Sequence, residues 1–142
     1  FGLESGRQHR FSAESVDDAT VVAIRRQHFA ALAHDDPELG AQVMKSMMRN
    51  LERAHDHMVS LGRKTAREKI ATFLLDMARR TSNEDRFELP MQRSDIADHL
   101  GLTIETVSRT LTQLTRDGLI RLAVAGRIVV LCDKAGLRHL NA

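Results

Sequence analysis

Apolar residues recur at helical spacing along the central part of the chain. Between positions 39 and 61 successive members lie three or four residues apart and form one stripe: Leu39, Val43, Met47, Leu51, Ala54, Met58 and Leu61. This period is typical of an amphipathic α-helix. Asp35 or Asp36 can cap its start, Pro37 fits the first turn, and Gly62 is expected to end it. The pattern therefore predicts a helix from about Pro37 to Leu61.

The length of this helix bears on what its stripe contacts. A helix of roughly 25 residues is about 37 Å long, which is more than the remaining chain can easily cover. One interpretation is a seam between two copies of the chain, and the other is packing inside a single subunit. We expect the seam.

The segments on either side of this helix differ in pattern. Thr20–Ile24 is short, apolar and β-branched, which predicts a largely buried strand that must pack either on something absent from the chain or on its neighbours. The residues from Phe1 look like the middle of a loop, so we expect a piece of a longer protein. A second helix is predicted from Thr65 to Arg80, followed by a polar loop from Thr81 to Glu88.

Two short helical segments around a glycine follow. Ser94 is expected to cap the first, and Thr103 can cap the second. Between them Ala97 would let the helices approach closely, Gly101 would accept a tight turn, and Val107 would close the small core. This spacing predicts a helix-turn-helix.

The second of these helices has two faces. One is apolar and is expected to be buried, and it comprises Ile104, Val107, Leu111 and Leu114. The other is polar and comprises Glu105, Ser108, Arg109 and Thr112. A carboxylate can accept from cytosine N4 and a guanidinium can donate to guanine O6 and N7, so this face could read base edges. The alternative is a solvated face with a Glu105–Arg109 ion pair.

The last part of the chain predicts a wing. Gly118 should end the second helix, after which 119–124 and 127–131 are expected to form two strands around a turn at Gly126. Arg127 would then be placed to meet a phosphate. Asp133 could cap a final short helix that ends near Leu140. The fold class is thus mainly α with a small β component.

Composition excludes several classes of protein. The 142 residues carry 21 Lys and Arg against 19 Asp and Glu, a net charge of only +2. There is no Trp or Tyr, which argues against a base-stacking platform for single strands. Cys132 is the only cysteine, so an internal disulfide or a cysteine-built metal site is excluded. No apolar run approaches the roughly 18 residues of a membrane span.

Two other functions are open to the same residues. The dipeptides His34-Asp35 and His55-Asp56 are shared with metal-dependent phosphohydrolases, but no remote ligands complete a metal site. We therefore expect neither an enzyme nor a bound metal. A winged helix can also serve as a protein-interaction module. The polar face around Glu105 argues against this, because a protein interface would favour apolar anchors there.

The helix-turn-helix stretch carries a specific resemblance. Leu89-Pro90-Met91 and the run from Asp95 to Leu111 (DIADHLGLTIETVSRTL) resemble the DNA-binding segment of the Crp/Fnr superfamily, most closely its FixK and FnrN branch. Asp56-His57-Met58, Leu61-Gly62 and Phe1–Glu4 are also similar to that branch. The resemblance extends over essentially the whole chain.

The resemblance implies three segments. These are the end of a β-roll sensor domain (1–34), a dimerisation helix (35–62) and a winged helix-turn-helix domain (63–142). The family's reading motif would fall on Glu105, Ser108 and Arg109 and recognise TTGAT-type half-sites in an inverted repeat. The expected DNA-contacting residues are Ser94, Thr103, Glu105, Thr106, Ser108, Arg109, Thr112 and Arg127.

The resemblance also implies partners and a setting. The chain would act in the cytoplasm as a homodimer on double-stranded DNA, with RNA polymerase as a further partner and no membrane contact. It would activate genes of low-oxygen metabolism or nitrogen fixation. The cyclic-nucleotide motifs of the family are not matched, since Gly2 precedes Leu3 and Phe11 separates Arg10 from Ser12. No cofactor is expected in this chain, and Cys132 alone is no sign of the iron–sulfur cluster of oxygen-sensing relatives.

Overall fold

The computed structural model describes residues 12–16, 18–81 and 83–140. The chain divides into two compact units, with the boundary between Asp56 and His57. The elements found in the described residues, in chain order, are α1 (Arg26–Asp35), α2 (Pro37–Arg63), α3 (Ala66–Arg79), β1 (Arg86–Glu88), α4 (Arg93–Leu100), α5 (Ile104–Arg116), β2 (Ile120–Ala123), β3 (Ile128–Leu131) and α6 (Lys134–His139). The expected fold class, mainly α with a small β component, is confirmed.

The strand predicted at Thr20–Ile24 is wrong. These residues belong to no helix or strand, and Val21 and Val22 are 84% and 85% exposed. A strand needs a neighbour to share its backbone hydrogen bonds, and β-branched residues alone do not supply one. Helix α1 follows directly and was not predicted. The assignment of 1–34 to a β-roll stays a prediction, and the segment Phe1–Glu4 lies outside the described residues, as do Arg10 and Phe11.

Helix α2 begins where the sequence indicates and runs further than expected. The Asp36 carboxylate accepts from the backbone N–H groups of Glu38 (2.9 Å) and Leu39 (3.1 Å), which caps the first turn. Gly62 was expected to end the helix but lies inside it, and α2 continues to Arg63. A glycine in a helix costs only about 1 kcal/mol, so it need not stop a helix that is otherwise well formed.

Helix α3 confirms the second predicted helix. Thr65 and Glu68 form a capping box, in which the Thr65 backbone N–H donates to the Glu68 carboxylate at 2.6 Å. These hydrogen bonds lower the pKa of Glu68. The polar loop predicted from Thr81 to Glu88 is wrong at its end, because Arg86–Glu88 is strand β1. This strand pairs with β3, in which Val129 lies opposite Phe87 although it is more than forty positions later in the chain.

The glycine turn between α4 and α5 is confirmed. Gly101 has φ +60°, a left-handed conformation that favours glycine, and the buried Ala97 lies one turn before it. A Cβ on Gly101 would lie 3.3 Å from Cδ2 of Leu61, so the small residue also serves close packing. Ser94 does not cap α4 as predicted. The helix begins one residue earlier, and the Asp95 carboxylate accepts from the Gln92 N–H at 2.8 Å.

The core of the second unit unites α3 to α6 with the sheet. The buried apolar residues are Ile70, Ala71, Leu74, Ala78, Phe87, Leu89, Ile96, Ala97, Leu100, Val107, Leu111, Leu114, Ile120, Val129, Leu131 and Leu137. The three strands are antiparallel in the order β1-β3-β2, and β2 pairs Ala123 with Ile128 across the wing turn. Asp133 caps α6, accepting from the Gly136 N–H at 2.8 Å, as predicted.

Two imidazole rings meet where the end of α2 contacts α4. The rings of His57 and His99 are stacked, with centroids 4.5 Å apart and planes 20° apart. The ring of Phe73, on α3, lies next to that of His99, with the two ring centroids 5.9 Å apart. Although His99 keeps an exposed edge, its partial burial first, and then the nearby charges of His57 and Arg80, lower its pKa, while Asp76 acts in the opposite direction. A neutral His99 is therefore favoured by this packing.

The lowered pKa of His99 predicts that the folded state loses stability in mild acid. Below the ordinary value of about 6.5 the unfolded chain takes up a proton that the folded chain resists. The stabilisation is present above that pH and is lost as the pH falls through it. His99→Phe keeps a ring against His57 but cannot titrate. Urea unfolding at a series of pH values from 7.5 to 5.5 should show that the free energy of unfolding falls less for this variant than for the unmodified chain.

The matched control is His139→Phe, which removes an exposed histidine from α6. It should follow the unmodified chain across the whole pH range. If His99→Phe and the unmodified chain lose stability identically with falling pH, His99 is not the source of the acid sensitivity.

Candidate nucleic-acid interface

Helix α5 begins with a threonine cap that orders its first turn. Thr103 Oγ1 accepts from the Thr106 backbone N–H at 3.2 Å, and the two hydroxyl oxygens are 3.1 Å apart. The cap satisfies a backbone donor that the helix itself leaves unpaired. Thr103 is exposed and Thr106 is half-buried. Both residues, predicted to contact DNA, thus also build the start of α5.

The rotation of α5 about its axis is set by its buried side. Val107, Leu111 and Leu114 are buried as predicted, and Thr110 is buried beside them. Ile104 was expected to join this face but is 49% exposed. Its position in the first turn places it beyond the edge of the core, where the chain has only just entered the helix.

The opposite side of α5 carries the predicted polar residues. Glu105, Ser108, Arg109 and Thr112 are all exposed. They lie at helical positions i, i+3, i+4 and i+7, which places them on one face. The Thr112 hydroxyl donates to the Ser108 carbonyl at 2.9 Å and so turns back onto the helix. The side chains of this face that extend into solvent are therefore chiefly those of Glu105, Ser108 and Arg109.

The Glu105 carboxylate is held in its charged form. A hydrogen bond from its own backbone N–H, and then one from the Thr103 hydroxyl, lower the pKa of Glu105. At neutral pH the group is consequently an acceptor only. Among the described residues no ion pair joins Glu105 to Arg109, so the ion pair of the alternative interpretation is absent, whereas the solvated face that it also predicts is observed.

The remaining predicted contact residues lie on other elements. Ser94 is half-buried in the first turn of α4, and Arg127 lies in the wing turn between β2 and β3. Arg127 is exposed, and its guanidinium is 3.3 Å from the Glu88 carboxylate of β1. Both members of this ion pair are well solvated, so the pair is weak and can open.

Three features of this region escaped the sequence analysis. Arg93 donates from Nη2 to the Gly126 carbonyl at 2.7 Å and so links α4 to the wing turn. Arg67 forms an ion pair at 2.5 Å with Asp117, which follows the last residue of α5. Glu88 pairs with Arg127 as described. Each contact joins residues more than thirty positions apart, and no local spacing indicates it.

The predicted dimerisation stripe of α2 is largely uncovered. Leu39 and Val43 are half-buried, whereas Met47, Ala54, Met58 and Leu61 are exposed and Leu51 is 67% exposed. Met44 and Met48, which the stripe did not include, are exposed beside it. Contiguous apolar side chains in solvent commonly mark a surface that another molecule covers.

The described residues contain no group of three or more His, Cys, Asp or Glu side chains that could hold a metal ion. Cys132 is exposed and has no second cysteine in the sequence, whereas iron–sulfur clusters are held by several thiolates. No helix within the described ranges is long and apolar enough to cross a membrane.

Comparison with known proteins gives a consistent result. Residues 68–140, which run from α3 to the end of α6, match the family described as the Crp-like helix-turn-helix domain. The solved structure of FixK2 from Bradyrhizobium japonicum superposes with a TM-score of 0.79 and 42% identity. That match covers 84% of this chain and 60% of the other.

Curated relatives point in the same direction. The nitrogen fixation regulation protein FixK of Azorhizobium caulinodans is 46% identical over 100% of this chain and 59% of its own length. The protein of the same name from Bradyrhizobium diazoefficiens is 41% identical over 99% of this chain and 60% of its own length. The chain thus spans about three fifths of the length of these relatives.

Proposed function

Since the chain belongs to the Crp/Fnr superfamily of transcription regulators, we propose that it is a FixK-like regulator. In this proposal it binds inverted-repeat DNA of the TTGAT type as a homodimer. It activates genes of nitrogen fixation or low-oxygen metabolism together with RNA polymerase, in the cytoplasm. The names of the FixK relatives support the first of these gene classes. The segments 1–34, 35–62 and 63–142 would be the end of a β-roll, the dimerisation helix and the DNA-binding domain.

The observation that carries the proposal is the exposed polar face of α5. Glu105, Ser108 and Arg109 stand on a helix whose other side is locked into the core, directly after the left-handed turn at Gly101. An α-helix fits the major groove of B-DNA, where each base pair presents a distinct set of donors and acceptors. A charged acceptor and a forked donor on one face match the amino group of cytosine and the O6 and N7 atoms of guanine.

The wing would bind DNA in a different way. Arg127 lies in a turn and offers its guanidinium to solvent, held only by the weak pair with Glu88. A phosphate would replace the carboxylate as its partner. Such a contact fixes the position of the protein on the duplex and carries no sequence information. Ser94 and Thr112 would add polar contacts at the edges of the interface.

The uncovered stripe of α2 would form the dimer seam. An inverted repeat requires two recognition helices related by a two-fold axis, about 34 Å apart on one side of the duplex. A seam along α2 would pair the two chains and bury the exposed side chains of Met47, Leu51 and Met58. In this arrangement affinity for the full site depends on both halves being bound together.

Base reading by α5 predicts a selective loss of affinity. Truncating a side chain that contacts a base should cost about 1–3 kcal/mol on the cognate half-site. Glu105→Ala should relax discrimination at one base pair, because the carboxylate penalises a wrong base there. Arg109→Ala should do the same at another. Binding to a panel of half-sites with single-base substitutions, measured at two salt concentrations, checks both.

The control for this panel is Arg127→Ala. It should weaken cognate and random DNA alike and reduce the salt slope by about one unit, as expected for one phosphate contact. If Glu105→Ala and Arg109→Ala lose affinity evenly over the panel, this face grips the backbone and reads no bases.

The dimer seam predicts that a charge in the stripe separates the subunits. Leu51→Glu would place carboxylates of both chains against an apolar surface, where an unpaired charge is costly. Sedimentation should then find monomers, and operator binding should fall sharply. Gln42→Glu makes the same change of charge at an exposed position on the other side of the helix and should leave the dimer intact. Unchanged dimers for Leu51→Glu would place the stripe inside its own subunit.

The Arg127–Glu88 pair predicts that removing the carboxylate strengthens DNA binding. Glu88→Gln frees the guanidinium and removes a negative charge near the phosphates, so affinity should rise by about twofold for an exposed pair worth about 0.5 kcal/mol. The gain should be equal for cognate and random DNA. Glu84→Gln changes the charge equally at another exposed position and is the matched control. An equal gain in affinity for both variants would show that the change in net charge, and not the release of Arg127, causes the effect.

A further inference from the structure

The Arg93 side chain joins two parts of the proposed interface that are distant in sequence. Arg93 is the first residue of α4, and its Nη2 donates to the Gly126 carbonyl at 2.7 Å. Gly126 immediately precedes Arg127, the proposed phosphate contact of the wing. The helix-turn-helix and the wing turn are thereby connected by a charge-assisted hydrogen bond, which is stronger than a neutral one.

The wing turn needs outside support to keep its shape. Val124, Ala125 and Gly126 have φ of +48°, +53° and +81°, three consecutive residues in the left-handed region. L-residues are disfavoured there, and a β-branched residue such as Val124 most of all. Val124 is 66% exposed, so packing does little to hold it. The turn's own hydrogen bonds, Gly126 N–H to Ala123 and Arg127 N–H to Val124, are 3.2 and 3.1 Å long.

The surroundings of Arg93 are poorly suited to a merely stabilising role. Its Nη1 is buried and has no hydrogen-bond partner within the described part of the chain, and burial lowers the pKa of Arg93. A buried donor left unpaired costs stability. The fit is nevertheless close, because a Cβ on Gly126 would come within 3.0 Å of Nη2. Guanidinium and glycine therefore match each other in space.

We propose that Arg93 is a positioning residue for DNA binding. Its hydrogen bond to the Gly126 carbonyl fixes the wing turn, so that the neighbouring Arg127 presents its guanidinium to a phosphate. The inference rests on the proposed function, since it takes Arg127 as a contact to DNA. It assigns Arg93 itself no contact with the duplex.

The first test needs no DNA. Amide hydrogen exchange on the 142-residue chain reports the order of the wing through the N–H groups of Gly126 and Arg127. Arg93→Met keeps the apolar stem but removes the donor, and should speed exchange at these two amides by tenfold or more. The amides of α5 should stay protected, which controls for folding. Arg93→Lys keeps a donor and should retain part of the protection. Unchanged exchange in the wing of Arg93→Met would overturn the proposal.

The second test is a double-mutant cycle on the binding of inverted-repeat DNA. Arg93→Met and Arg127→Ala should each reduce the salt slope by about one unit, the value for one phosphate contact. The double variant should show no larger reduction, because both changes remove the same contact. A reduction of about two units would show that Arg93 acts on DNA independently and would overturn the proposal.

The same measurements distinguish a failure of the proposed function from a failure of the positioning role of Arg93. If the unmodified chain binds the inverted repeat no better than random DNA, the proposed function fails whatever the variants do. If it binds selectively and Arg127→Ala lowers the salt slope, the proposed function stands. An additive result for Arg93→Met in that setting refutes only the positioning role.

Discussion

The rotation of α5 about its own axis is the constraint on which the candidate interface depends. A helix of 13 residues has one side to give to the core, and Val107, Thr110, Leu111 and Leu114 occupy it. Because successive side chains advance by about 100° around a helix, the positions of Glu105, Ser108 and Arg109 in solvent follow from that burial. Folding does not require this face to be polar, so its chemistry is free to serve recognition.

Contacts at both ends of α5 keep that rotation fixed. At its start the left-handed Gly101 and the buried Ala97 bring α4 close, and the Thr103 cap orders the first turn. At its end the partly exposed ion pair between Asp117 and Arg67 adds a weaker contact to α3. In the proposed function a contact to a base edge would depend on sub-ångström placement, and a helix anchored along one side and at its ends would be positioned before DNA binds.

Features that depend on neighbouring residues could be predicted from the sequence, and features that depend on distant ones could not. The Thr103 and Asp133 caps and the turn at Gly101 each involve residues only a few positions apart, and all are confirmed. Strand β1 escaped because three residues become a strand only through pairing with β3. Thr20–Ile24 failed for the converse reason, since strand-forming residues have no partner among the described ones. At the site, the face of α5 was predictable from its period, whereas the Arg93–Gly126 link was not.

Electrostatics explains how, in the proposed function, an almost neutral chain would discriminate between DNA sequences. With a net charge of +2, the chain would have little general attraction for phosphates, so binding would depend mostly on individual charged side chains at the interface. Two charges of the proposed interface are carboxylates, Glu105 and Glu88, and both would repel the phosphates of the DNA. Glu105 is kept ionised by the start of its own helix, and it can recover that cost only opposite a donor such as an amino group. A charge that opposes binding everywhere except at the correct base lowers affinity and raises the ratio of specific to non-specific binding. In a genome full of competing sites that ratio decides occupancy.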